Sequence, residues 1–110
     1  MAKTKPNKKR TGYNTWIAFC FYDLPYDTPA ACKAAARFHR RMKKIGWDKN
    51  FMPHTKVYLR WFGGFGKLEK LHTEVMSIVP PDAEIRIVPV TDKQFGKILT
   101  GWGKMRKPTL

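Results

Sequence analysis

Residues 16–22, Trp-Ile-Ala-Phe-Cys-Phe-Tyr, are apolar without a break, and the run stops at Asp23, two positions before Pro25. A strand with one wet face alternates apolar and polar side chains, whereas an unbroken apolar run belongs to a strand covered on both faces. Residues 15–23 therefore read as a central strand. In a chain of 110 residues, one domain's worth, the remaining segments must supply both flanking strands and covering layers.

They do so in a definite order. Residues 28–45 read as a helix, with Thr28 as a good N-cap and Pro29 at the first helical position. Ala31, Ala35, Phe38, Met42 and Ile45 recur at helical spacing as a core stripe, and Gly46 ends the helix. A short strand is expected within 47–53, weakened by Asp48, Asn50 and Pro53. Residues 56–62 form a better strand, Val57, Leu59 and Trp61 alternating with Tyr58, Arg60 and Phe62. The glycine turn at 63–66 leads to an amphipathic helix over 67–79, with Leu68, Leu71, Val75 and Ile78 on one side and Pro80-Pro81-Asp82 as its stop. Residues 84–90 are a strand, Ile85 and Ile87 on one face and Glu84 and Arg86 on the other. The order β-α-β-β-α-β is that of an α+β, ferredoxin-like sandwich, with both helices on one face of an antiparallel sheet. The other face is then open, with Tyr58 and Phe62 placed on it, and an open apolar face invites dimerisation. The chain divides into a flexible basic arm (1–12), the ferredoxin-like domain (13–90) and a C-terminal docking segment (91–110) carrying Phe95, Ile98, Leu99 and Trp102.

Charge bears most directly on function. Lys and Arg number 22 against 8 Asp and Glu, a net +14 that repels itself unless an anion is near. Nucleic acid is the first partner expected, an anionic membrane surface or acidic partner the second. Lys33, Arg37, Arg40 and Lys44 repeat at helical spacing two residues out of phase with the core stripe. Two residues turn a helix by about 200°, so this row lies opposite the core, and Arg41 and Lys43 widen it. A regular row of cations suits a duplex backbone, where affinity comes from phosphate neutralisation. Lys8, Lys9 and Arg10 in the arm are further candidates for phosphate contact.

Asp23 has two readings. At the end of a strand it stands where catalytic or metal-binding carboxylates are common, and it can also open the following loop as an Asx turn. Mg²⁺ takes oxygen ligands and keeps several waters, so one or two carboxylates can hold it. Asp27 lies just before the helix cap and suits the helix start better than a metal. His39, His54 and His72 show no zinc spacing. Cys20 and Cys32 form no CxxC pair, which fits the cytosol and small core residues. No apolar stretch is long enough to span a membrane, and the basic first residues lack the apolar core of a signal peptide.

The stretches "FCFYDLP", "RRMKKIGW", "VYLRW", "PPDAEIRIVPVTD" and "KQFGKI" together resemble the small CRISPR-associated protein two family over about residues 15–104. The resemblance implies a ferredoxin-like homodimer whose C-terminal extension adds to the partner subunit's sheet. It implies a scaffold that binds double-stranded DNA, prespacer and repeat, and bridges two dimers of the CRISPR integrase during spacer acquisition. Tyr22, Tyr58, Phe62, Phe95 and Ile98 are the dimer contacts expected on this basis. Some members are described as Mg²⁺-dependent nucleases, with the residue matching Asp23 holding the ion at the dimer interface. Whether this chain is an enzyme is thus left open. The family often has Gln-x-Ser-Val-Tyr before its third strand, where this chain has His54-Thr55-Lys56-Val57-Tyr58. Lys56 stands at the Ser position, so the polar group that the family's pattern places beside the nuclease site is absent here.

Overall fold

A computed structural model describes residues 15–104. The arm residues Lys8, Lys9 and Arg10 lie outside this range, as does the end of the C-terminal segment. Three strands, β1 (Thr15–Asp23), β2 (Val57–Gly63) and β3 (Glu84–Thr91), form an antiparallel sheet in the order β2-β1-β3. The apolar run is thus the central strand. Helix α1 (Pro29–Lys44) follows β1, and a 3-10 turn (Phe65–Lys67) leads into α2 (Leu68–Met76). The arrangement is compatible with a ferredoxin-like fold.

Thr28 caps α1 as expected, its Oγ1 accepting from the Ala31 N–H at 3.0 Å, with Pro29 in the first turn. Gly46 then takes φ 108°, a conformation other residues rarely adopt, and the chain leaves the helix there. The strand expected within 47–53 is reduced to one bridge, Asp48 to Leu59. Asp48 turns the backbone by accepting from the Asn50 N–H at 3.1 Å, and Lys49 is drawn inward, so the ladder stops after one rung.

The core lies between the sheet and the two long helices. Ala18, Cys20 and Tyr22 of β1 pack with Ala35, Phe38 and Met42 of α1, Leu71 and Val75 of α2, and Trp47 from the loop. Tyr58 and Phe62 belong to this core, which corrects the expectation that they lie on the open face. Tyr58 pairs with Cys20 and Phe62 with Trp16, and directly paired residues share a face. Tyr22 is buried beside them. These three side chains are therefore occupied within the protomer.

The second face of the sheet carries Ile17, Phe19 and Phe21 together with Val57, Leu59 and Trp61. It is partly covered by an element that alternation alone did not reveal, the short helix α3 (Asp92–Gly96). Thr91 and Gln94 form a capping box at its start. Phe95 sits 6.1 Å from Phe19, 5.7 Å from Phe51 and 5.7 Å from Trp61 between ring centres. Ile17 is fully buried as a result, whereas Phe21, Met52 and Val88 remain exposed.

Candidate functional site

Helix α1 presents its apolar stripe to the core, so its other face is fixed toward solvent. Lys33, Arg37, Arg40, Arg41, Lys43 and Lys44 are all exposed. The helix contains no acidic residue, and among the described residues none of the six has an acidic partner. Arg41, Lys43 and Lys44 lie in the last turn, where positive charge also offsets the helix dipole. That account does not reach Lys33 and Arg37 near the other end. From Lys33 to Lys44 the row spans about 16 Å at the helical rise, close to half a turn of duplex DNA. Arg37 and Arg41 also line an open depression of about 180 Å³ with Ser77 and Pro80. The surface is a continuous strip of exposed positive charge along one side of the helix.

Asp23 ends β1 with its side chain 73% exposed. It closes no Asx turn among the described residues: its Oδ1 accepts from Lys56 Nζ at 3.2 Å. Its register partner is Glu84, whose Oε2 accepts from Arg86 Nη2 at 2.7 Å. A pair of carboxylate ligands suits a hard cation. Here both carboxylates already have cationic partners, and the residues present do not fit a Mg²⁺ site. Among the described residues no group of three or more His, Cys, Asp or Glu comes together. Asp27 makes no part of such a group, and His39, His54 and His72 stay apart.

A cluster that sequence reasoning missed lies just inside this edge. Lys49 Nζ donates to the Tyr22 hydroxyl at 2.5 Å and to the Thr55 carbonyl at 2.6 Å, and it sits over the rings of Tyr22 and Tyr58 at 5.1 and 5.5 Å. The Tyr58 hydroxyl lies 2.6 Å from His39 Nδ1. Burial, then the charges of Lys49 and Lys43, hold the His39 pKa below its ordinary value, and burial holds that of Tyr58 above. Both are therefore neutral at neutral pH. The cluster ties the 47–56 loop to the core and so sets where Lys56 stands. Its one sequence signal was a Lys in the stretch between Gly46 and the strand at 56–62.

The C-terminal segment leaves the fold after α3. Ile98 is 41%, Leu99 96% and Trp102 88% exposed. Leu99 and Trp102 are almost entirely uncovered by the protomer they belong to, and Ile98 is partly covered. Phe95 alone of the expected tail contacts is seated, on its own sheet.

Known relatives are similar in sequence across most of this chain. The chain is 36% identical over 94 residues to a protein of Parvibaculum lavamentivorans called CRISPR-associated endoribonuclease Cas2, covering 86% of this chain and 89% of the relative. The chain belongs to the Cas2 family. A second relative of that name, from Paracidovorax avenae, is 30% identical over 98 residues, covering 89% of this chain and 88% of its own. A third from Rhodospirillum rubrum, CRISPR-associated endoribonuclease Cas2 2, is 26% identical over 84 residues, with 76% and 72% covered. No protein-family model matches the chain. No helix among the described residues is long and apolar enough to cross a membrane.

Proposed function

We propose that this Cas2-family chain is a scaffold of CRISPR adaptation: a homodimer that binds duplex DNA along its backbone and bridges two integrase dimers as new spacers enter the array. The observation that carries the reading is the row from Lys33 to Lys44, exposed and without acidic partners, on a protein of net charge +14. Phosphate neutralisation by such a row gives affinity without sequence preference, as a protein handling spacers of any sequence requires. The exposed Ile98, Leu99 and Trp102 support a docking role for the C-terminal segment, on the partner subunit or on the integrase. Reconstitution with the integrase, a short duplex and a repeat-bearing target tests the reading. Asp23→Ala should leave integration intact, and Arg37→Glu with Arg40→Glu should abolish it. Loss of integration in a folded Asp23→Ala protein would count against a scaffold role.

The relatives' names favour a second reading, endoribonuclease activity, with the same chemistry on DNA as its variant. Asp23 would then be the catalytic carboxylate and Mg²⁺ the cofactor. Its mark would be Mg²⁺-dependent cleavage by the purified protein, absent from Asp23→Ala. The pairing of Asp23 with Lys56 weighs against it.

A further inference from the structure

Asp23 and Glu84 are register partners on β1 and β3 and share a face at one end of the sheet. Directly opposed side chains of antiparallel strands have Cβ atoms about 5 Å apart, and like charges so placed destabilise the pair. Two facing carboxylates therefore require positive charge between or beside them. A hydrated divalent cation is one solution. This chain shows another. Lys56 Nζ stands 3.2 Å from Asp23 Oδ1, and Arg86 Nη2 stands 2.7 Å from Glu84 Oε2. Lys56, Asp23, Glu84 and Arg86 form a row, two carboxylates flanked by two cations, whose formal charges cancel. Asp23, Glu84 and Arg86 line an open depression of about 190 Å³.

The position of Lys56 is set by the fold. Its carbonyl accepts from the Tyr22 N–H at 3.2 Å, carrying the β1–β2 ladder one step beyond β2. Its neighbour Thr55 is anchored through its carbonyl to Lys49. Surface ion pairs are individually weak, so the pairs alone would not hold off a strongly bound ion. A divalent cation entering the depression would also meet Arg86 on its lining, Lys56 beside Asp23, and the field of a protein of net charge +14.

We infer that Lys56 and Arg86 are built-in counter-ions that take the place of a divalent cation at the Asp23–Glu84 carboxylate pair, leaving this end of the sheet electrically complete without metal. The inference goes beyond the duplex-scaffold reading and does not rest on it, because its test contains no nucleic acid. The test is Mn²⁺ titration at low ionic strength, followed by calorimetry and by the electron paramagnetic resonance signal of free Mn²⁺. Wild type, Lys56→Ser, and Lys56→Ser with Arg86→Ser are compared. Both replaced side chains are largely exposed, at 66% and 75%, and circular dichroism verifies the fold of each variant. Wild type should show no saturable binding in the millimolar range. Each cation removed should tighten Mn²⁺ binding by about tenfold, as expected for a dipositive ion relieved of a unit charge about 5 Å away in water. Asp23→Asn in the double variant should abolish the gain. Stoichiometric binding by wild type that Asp23→Asn removes would overturn the inference. So would folded single and double variants that bind no better than wild type.

Discussion

Tyr58 carries two roles that a one-dimensional pattern reads as one. Its ring fills the core between Cys20, Tyr22 and Phe38, and its hydroxyl meets His39. In the Nε2-protonated tautomer, His39 Nδ1 accepts a hydrogen bond from the Tyr58 hydroxyl. Tyr58→Phe should cost up to about 1 kcal/mol in urea unfolding, since His39 is only partly buried and can turn to water. Phe38→Ala, at a fully buried position, should cost about 3–5 kcal/mol. The pKa of His39 is lowered in the folded state, chiefly by burial, so the unfolded chain binds more protons as pH falls. The stability that neutral His39 contributes is therefore full above the ordinary His pKa near 6.5 and is lost as pH drops below it through the folded value. Melting temperatures should fall from pH 7.5 toward pH 5, and His39→Gln should flatten that part of the profile. The cysteines separate by the same physics. Burial pushes the Cys20 thiol up to about 12 and keeps it a neutral core group, whereas Cys32 is exposed. A thiol reagent should label one site per native chain, at Cys32, and two after denaturation. The identity of Asp23 as a strand-terminal carboxylate was plain from the sequence. Its partners were not, because Lys56 and Glu84 reach it only through the pairing of β1 with β2 and β3.

At the scale of elements, the most legible parts were those with local chemistry. β1 runs over the residues that the apolar run marked out, and α1 starts at its Thr-Pro cap. Thr28→Ala should lower stability by about 1 kcal/mol, measured by denaturant unfolding. The hairpin strand failed because one bridge forms where Asp48 turns the backbone and Lys49 points inward. α3 was missed because five residues are too few for a helical period. Its signal was the capping box Thr91-Asp92-Lys93-Gln94. Tyr58 and Phe62 were placed on the wrong face for a different reason: alternation separates two faces but does not say which one the helices cover. Only register with Cys20 and Trp16 decides that. Because the cap of α3 orients Phe95 over Phe19 and Trp61, Thr91→Ala should loosen the second face, raising hydrogen exchange at 92–98 while the β1 amides stay protected.

For the whole molecule, charge was the most direct guide, and it needed the fold only to become a surface. The net +14 could have been spread evenly; α1 instead gathers six cations on one side, away from the core that orients them. The exposed tail residues were likewise visible as apolar positions beyond the last strand, but that Leu99 and Trp102 find no seat on their own protomer is a property of the folded chain. The central claim is that this α1 row grips a duplex by its phosphates. Fluorescence anisotropy of a labelled short duplex, titrated with wild type and with Arg37→Glu, Arg40→Glu over a range of salt, tests it most directly. Wild type should bind independently of sequence, with log K falling linearly in log salt. The variant should bind at least about tenfold more weakly, with the slope reduced by roughly two per protomer engaged. A folded variant with unchanged affinity and slope would contradict the account.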